Sequence, residues 1–191
     1  MAVEDAAHVR TARLELLPAA PDDTEALFPI FNDPGGWWYE PASRHLDIDD
    51  TRHFLARAQD RWALHGLSYW TVRLADEHTV IGLGGIQRHR SGAWNLSYRI
   101  AGAHQGRGYA GELAAAGLEA AAAVDPVEAV IAWVVPDNQP SRRVAERVGL
   151  VARGLRIDAN DGRARLAFAD RELDPGRFPF AETRDGAGAA R

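Results

Sequence analysis

Apolar residues recur along the chain with the two periods that distinguish strands from helices. In residues 94–100 the apolar positions Trp94, Leu96, Tyr98 and Ile100 alternate with polar ones, which is typical of a strand with one buried face. Residues 127–135 are almost all apolar, which predicts a strand buried on both faces. The pattern predicts seven strands, at residues 13–17, 69–74, 80–86, 94–100, 127–135, 150–157 and 163–171.

Helical patterns separate several of these strands. Phe54, Ala58 and Trp62 recur at four-residue spacing, and an alanine-rich segment runs to Val124. Shorter helices are predicted after Pro21 and over residues 141–148. The order β-α-α-β-β-β-α-β-α-β-β predicts an α/β (α+β) fold with a mixed, mostly antiparallel sheet and helices on both faces. We expect one domain over residues 10–180, an N-terminal extension over 1–9 and a mobile tail over 181–191.

Composition removes several kinds of chemistry. All 22 basic residues are arginine, no cysteine is present, and the formal net charge is −5. The chain therefore has no lysine for a Schiff base or a P-loop, no thiolate nucleophile and no cysteine metal site, and no metal site is predicted. The acidic balance argues against a nucleic-acid partner. No window has the about 20 apolar residues of a membrane span, so we expect no membrane partner and a cytoplasmic location.

Candidate chemistry concentrates in the segment YRIAGAHQGRGYAGE, residues 98–112, where a glycine-rich loop joins a strand to a helix. Gly106 and Gly108 permit close approach of a ligand to the backbone, and the amides at a helix N-terminus favour an anion such as pyrophosphate. A Walker loop is excluded because it needs lysine. Residues 82–85, GLGG, lack the third glycine of a Rossmann loop and lie within a predicted strand, so they indicate close backbone packing instead.

Four segments carry a resemblance to a known family. QGRGYA at residues 105–110 resembles the [RQ]xxGx[GA] signature of the GNAT superfamily of acyl-CoA-dependent N-acyltransferases. NQPSRRVAERVGL at residues 138–150 resembles the family's next signature, N-x-x-S followed by a hydrophobic residue and G-[FL]. RLEL at residues 13–16 and NDP at 32–34 resemble the RimJ/RimL branch, which acetylates ribosomal-protein N-termini. The resemblance covers about residues 10–171 and implies acetyl-CoA as cofactor.

The resemblance also implies roles for individual residues. In the family, the strand at 94–100 ends in a bulge and splays from the strand at 127–135, and the pantetheine arm lies in the gap. The Ile100 backbone would then hold the thioester carbonyl, Gly102 the arm, and Asn138 the arm from the other side. Ser141 is the candidate that assists the leaving thiolate, because Ala145 stands where many relatives have a tyrosine acid. The predicted pyrophosphate cradle comprises Gln105, Gly106, Arg107, Gly108, Tyr109 and Ala110.

No residue is assigned as the general base. Asn95 stands where several relatives have glutamate, and His89, His104 and Glu112 each have an ordinary structural interpretation. A site without a strong base suits an α-amine, with a pKa of about 7.7–8.0, better than lysine, with a pKa of about 10.4. The predicted acceptor contacts are aromatic: Trp37, Trp38, Tyr39 and Trp94.

Three functional hypotheses remain open at this point. The first is an acetyl-CoA-dependent N-acetyltransferase whose acceptor amine, on a protein N-terminus or a small molecule, attacks directly in a ternary complex. The alternative is a non-catalytic acyl-CoA-binding regulatory module, which the missing acid and base motivate. The third is a structural protein that has lost the cofactor, against which the intact loop at residues 105–110 argues. We expect a monomer or a homodimer.

Overall fold

The computed structural model describes residues 6–181, so the predicted mobile tail, apart from its first residue, and the start of the predicted N-terminal extension lie outside the described residues. Four α-helices and eight strands are described, in the expected order except for one additional strand at the start. They are β1 (Val9–Arg10), β2 (Leu14–Pro18), α1 (Thr24–Asn32), α2 (Ile48–His65), β3 (Tyr69–Leu74), β4 (Val80–Arg88), β5 (Trp94–Ile100), α3 (Tyr109–Val124), β6 (Val130–Val134), α4 (Gln139–Arg147), β7 (Val151–Ile157) and β8 (Ala164–Ala169).

The sheet has eight strands in the order β1-β2-β3-β4-β5-β6-β8-β7. Each described neighbouring pair is antiparallel except β5 and β6, which are parallel. The expected count of seven was wrong by one, because the edge strand β1 has only two residues and therefore shows no period. The fold class, a mixed and mostly antiparallel sheet with helices, is confirmed.

The two faces of the sheet bury different sets of side chains. On one face, α3 packs through Leu113 and its alanines against apolar residues of β2 to β6. On the other face, α1 and α2 pack through Leu27, Phe31 and Leu55 against Tyr69 and neighbouring residues. Among the described helices, none is long and apolar enough to cross a membrane.

Close packing accounts for the glycines of β4. A Cβ added at Gly84 would lie 2.6 Å from the Tyr98 side chain and 2.7 Å from Leu113, so a side chain there would separate α3 from the sheet. A Cβ at Gly82 would collide with the backbone of Arg99. The interpretation of these glycines as a packing feature, rather than as a phosphate loop, is confirmed.

Candidate functional site

The sheet opens between β5 and β6. These strands pair only at Trp94 with Val130 and at Asn95 with Ile131, and residues 96–100 of β5 do not pair with β6. The amide of Ala101 donates to Ile81 at 2.8 Å, so by the alternation of antiparallel pairs the backbone groups of Ile100 point away from β4 and into the opening. The splay that the resemblance implies is present. The bulge is not, since the register between β4 and β5 is regular from Trp94 to Ile100.

A loop rich in unpaired amides adjoins this opening. Gly106 and Gly108 have φ values of 74° and 85°, in the left-handed region that favours glycine, and Gly108 is the N-cap of α3. Within the described chain, the amides of residues 106–110 make no backbone hydrogen bond. These donors and the positive end of the α3 dipole converge at one exposed place, where a phosphate or pyrophosphate is stabilised.

Contacts with the N-terminal strand hold this loop in place. Glu112 accepts hydrogen bonds from the Thr11 hydroxyl at 2.5 Å and from the Arg13 amide at 2.8 Å. The Arg13 guanidinium donates to Glu112 at 2.7 Å and to the carbonyl of Arg107 at 2.8 Å. Partial burial raises the pKa of Glu112, but the hydrogen bonds from Thr11 and Arg13 outweigh it, and the pKa lies below its ordinary value. Glu112 thus joins the cofactor loop to the edge of β2.

Gln105, which was predicted to bind the pyrophosphate, uses its side chain for a hydrogen bond within the protein. Its Nε2 donates to the carbonyl oxygen of Ile100 at 2.9 Å. This contact ties the start of the loop to the end of β5, which leaves the backbone amides of residues 106–110, rather than the Gln105 side chain, facing the anion site.

The opposite side of the opening is formed by the N-terminus of α4. Asn138 is buried, and its Oδ1 accepts from the amide of Ser141 at 3.2 Å as the N-cap of the helix. Asn138, Ser141 and Tyr98 line the same cavity. Burial raises the pKa of the Tyr98 phenol to about 12, and the neighbouring Ser141 side chain opposes that rise. The phenol therefore keeps its proton at neutral pH and is able to donate it in a hydrogen bond.

From its pattern in the sequence, Tyr98 is only a core residue. It lies on the apolar face of β5 with Leu96 and Ile100, as its period requires. Because β5 splays from β6, Tyr98 and Ser141 line one cavity together with Ala145, which stands where the resemblance implies a tyrosine acid.

The cavity continues through the sheet to the face that carries α1 and α2. Its wall there includes Tyr39, Glu40, Ser97, Trp133 and Arg165. Ser97 and Trp133 belong to the two splayed strands, whereas Tyr39 and Glu40 follow α1. The cavity is therefore lined by side chains from both faces of the splayed strands, and we refer to it as the passage.

The four aromatic residues that were predicted to contact the acceptor lie in different surroundings. Tyr39 lines the cavity, Trp37 packs beneath the loop against Phe31, and Trp38 is exposed with its ring edge-on to Tyr39. Trp94 requires a correction, because its side chain is fully buried in the core on the α3 face and does not line the cavity. It lies at the end of β5 that still pairs with β6, at Val130, so the strands have not yet separated beside it.

Arg99 fixes the loop that carries Tyr39. Its guanidinium lies 3.4 Å from the centre of the Trp37 ring and donates to the carbonyl of Gly36 and, at 2.7 Å, to the Tyr39 hydroxyl. Burial lowers the pKa of Arg99, and the nearby Tyr39 and Asp33 oppose that effect. The acceptor side of the passage is thus attached to β5 by one buried cation.

The residues considered as bases lie in structural surroundings. His89 is buried, and its Nε2 contacts the Asp158 carboxylate at 2.9 Å. His104 packs near the Tyr109 ring, with centroids 6.5 Å apart. Asn95 and Glu112 do not line the cavity. None of these four is placed in the passage.

Comparison with known proteins identifies the family. Residues 13–151 match the family model described as an acetyltransferase (GNAT) domain, so the chain belongs to the GNAT acetyltransferase family. A GnaT-family acetyltransferase from Bordetella pertussis is 26% identical, with a TM-score of 0.72 over 86% of this chain and 99% of that chain. An acetyltransferase from Agrobacterium tumefaciens strain C58 is 25% identical, with a TM-score of 0.73 over 86% and 94%.

The fold is also similar to that of a ribosomal-protein acetyltransferase. The ribosomal L7/L12 α-N-protein acetyltransferase RimL, solved with coenzyme A, is 20% identical, with a TM-score of 0.66 over 87% of this chain and 98% of that chain. Membership of the family makes this chain an acetyl-CoA-dependent N-acetyltransferase. The residues present fit that cofactor, since free amides at α3 suit its pyrophosphate and the unpaired edge of β5 suits its extended arm.

Proposed function

We propose that the chain transfers the acetyl group of acetyl-CoA directly to the primary amine of an acceptor, either a protein N-terminus or a small molecule. The observation that carries the proposal is the passage between β5 and β6, which joins a cofactor side to an acceptor side. Two substrates that approach from opposite faces of the sheet meet there. The chain has no cysteine for a thioester intermediate, so a direct reaction in a ternary complex is the simplest course.

On the cofactor side, the proposed role of the chain is to bind acetyl-CoA and to stabilise the negative charge that develops on the thioester oxygen. The amides of residues 106–110 hold the pyrophosphate, and the free Nδ2 of Asn138 holds the arm. The Ile100 amide donates to the thioester oxygen, where negative charge grows during acyl transfer. Bound acetyl-CoA supplies the activated acetyl group.

The two hydroxyls at the α4 side of the cavity are proposed to serve the leaving group. Ser141 donates a hydrogen bond to the sulfur as it becomes a thiolate, and the protonated phenol of Tyr98, which lines the same cavity, is a second hydroxyl donor there. Because the Tyr98 phenol stays protonated well above neutral pH, it remains a donor throughout the working range. This pair is proposed to take the role of the tyrosine acid that Ala145 replaces.

A free α-amine is the proposed acceptor. Roughly a tenth of α-amines are already neutral at pH 7, whereas well under a thousandth of lysine side chains are. The experiment measures thiol release from acetyl-CoA with dipeptide amides that have a free α-amine, with Nα-acetyl-lysine amide, and with small primary amines. We expect turnover with the free α-amines and little with Nα-acetyl-lysine amide. Turnover with none of these amines, despite acetyl-CoA binding, would contradict the proposal.

A further inference from the structure

The acceptor side of the passage carries one carboxylate. Among the described residues that line the cavity, Glu40 is the only acidic one. It follows Tyr39 in the loop that Arg99 attaches to β5, and its side chain is 18% exposed, so it remains accessible from the opening. No local pattern in the sequence points to Glu40, because its partners lie more than 120 positions further along the chain.

The two oxygens of this carboxylate have different surroundings. Oε1 accepts from Arg163 Nη1 at 2.8 Å and from Arg165 Nη2 at 2.7 Å. Oε2 has no hydrogen-bond donor within residues 6–181, and it is not among the buried polar atoms without partners. One oxygen therefore positions the group, and the other is left for a donor that enters the cavity.

The arginine that positions Glu40 is itself held by carboxylates. Arg165 is 9% exposed and donates to Asp158 at 2.8 Å and to Asp161 at 2.7 Å. Asp158 also contacts Nε2 of His89 at 2.9 Å. The Nδ1 atom of His89 accepts from the Ser91 amide at 3.1 Å, so both ring nitrogens have partners within the protein.

The charges of this cluster do not cancel. Glu40, Asp158 and Asp161 contribute three negative charges, and Arg163 and Arg165 contribute two positive ones, which leaves one negative charge. Arg99 lies near the charges of both Asp33 and Glu40, and with Asp33 and Arg99 included the sum is four negative charges against three positive ones. The acceptor side of the cavity therefore has a net negative charge, and Oε2 of Glu40 accepts no hydrogen bond from the described residues. Both features favour the binding of a cation.

The position of this oxygen relates it to the reaction. The same cavity is lined by Tyr98 and Ser141, so a donor at Glu40 occupies the passage that leads to the leaving-group side. A neutral acceptor, such as an alcohol, gains little from the excess charge, whereas a protonated amine gains a charge-assisted hydrogen bond.

We propose that Glu40 binds the acceptor's ammonium group through Oε2. The bound amine then releases its proton to solvent before it attacks the thioester, a step that is easier for an α-amine than for lysine. The proposal rests on the proposed function and specifies the acceptor-binding residue. Glu40 acts here on acceptor affinity, and the cofactor side of the site does not depend on it.

The first experiment compares Glu40→Gln with the wild type, using the dipeptide amide Ala-Ala-NH₂ as acceptor. The glutamine keeps the size and an oxygen for the arginines but removes the charge. We expect the KM for the peptide to rise about tenfold, with kcat within about threefold and the affinity for acetyl-CoA unchanged. Glu172→Gln removes one charge from a side chain that is 84% exposed and does not line the cavity, and it should leave all three quantities unchanged.

A second variant should change the KM for the peptide in the opposite direction, which a general loss of folding would not do. Arg163 is 58% exposed and contributes one of the two cations at Oε1. Arg163→Gln should therefore make Glu40 more attractive to a cation and lower the KM for the peptide. If Glu40→Gln leaves the KM unchanged while the wild type turns over, the inference is wrong and the proposed function stands.

Direct binding separates the two proposals if the wild type acetylates no amine. The Trp133 side chain lines the cavity, and its indole N–H is buried with no hydrogen-bond partner among the described residues, so its NMR signal reports on a ligand bound beside the ring. Alaninamide, a cation, should shift this signal in the CoA-bound wild type but not in Glu40→Gln, and neutral N-acetylalaninamide should shift it in neither. Equal shifts with the cation in both proteins, or no shift in the wild type, would overturn the role of Glu40.

Discussion

Replacing Glu112 with glutamine is expected to loosen the cofactor loop from the N-terminal strand. The carboxylate receives the Thr11 hydroxyl and the Arg13 amide on one oxygen and the Arg13 guanidinium on the other. Glutamine keeps an oxygen for the first two donors. Its amide nitrogen then faces the guanidinium, donor against donor, so the ion pair and its hydrogen bonds are lost.

The magnitude follows from the exposure of the two partners. A hydrogen bond to a charged group contributes about 1.5–3 kcal/mol, whereas an exposed ion pair contributes about 0.2–1 kcal/mol. The side chain of Glu112 is 15% exposed and that of Arg13 is 47% exposed, which places this pair between the two cases. We expect a loss of about 1–2 kcal/mol in the free energy of unfolding, or about 2–8 °C in Tm for a chain of this size.

Calorimetric melting and titration with coenzyme A measure the two consequences together. Arg13 also donates to the carbonyl of Arg107, so the variant should bind coenzyme A several times more weakly because the loop is less well ordered before binding. Glu119→Gln is the matched control, since Glu119 is exposed on the same helix. Identical Tm and coenzyme A affinity in the two variants would refute the reasoning.

The pH dependence of the difference gives an independent check. The folded-state pKa of Glu112 lies below its unfolded value, so its stabilising contribution is complete above the ordinary carboxyl pKa of about 4.3 and is lost as the pH falls through the folded-state pKa. The difference in unfolding free energy between the wild type and Glu112→Gln should therefore be constant near neutral pH and shrink only below that value. A difference that already shrinks between pH 7 and pH 5 would point to another group.

Two further variants test the passage itself. Tyr98→Phe should lower kcat by about tenfold with little change in the KM for acetyl-CoA, because the second hydroxyl donor in the cavity is lost; a kcat equal to that of the wild type would remove Tyr98 from the mechanism. Arg99→Ala should lower the free energy of unfolding by about 2–4 kcal/mol, as measured by denaturant unfolding, because it leaves the Gly36 carbonyl and the Tyr39 hydroxyl without their donor. A loss below about 0.5 kcal/mol would show that the loop holds its position without this cation.

The fold was predictable where a segment is long enough to show a period. The alternation in residues 94–100 defines a strand whose bounds and buried face agree with β5. The edge strand Val9–Arg10 is too short for any period, so it was missed. The apolar run at 127–135 overstated β6, which begins only at Val130, because Val127 is apolar but 80% exposed.

The site was predictable only where its residues are close in sequence. The loop at residues 105–110 is contiguous, and its glycines and helix start are visible in the chain. The placement of Tyr98 and Ser141 in one cavity and the contact of Glu40 with Arg165 depend on how distant strands splay and meet, which no local pattern encodes. Trp94 was misassigned for a related reason, because an aromatic residue on a strand has the same sequence signature whether it lines a pocket or fills the core.

Calorimetric titration with acetyl-CoA, and with ATP as a second pyrophosphate-containing ligand, tests the central claim most directly. The wild type should bind acetyl-CoA and not ATP, because the amides at α3 and the open edge of β5 act together on a pyrophosphate joined to an extended arm. Gly108→Trp, which places a bulky ring at the N-cap of α3, should weaken binding by at least about tenfold. Gly162→Trp, at a turn glycine with a similar φ of 72° far along the chain, should not. Absence of acetyl-CoA binding in the wild type, or equal binding by Gly108→Trp, would contradict the assignment of the site.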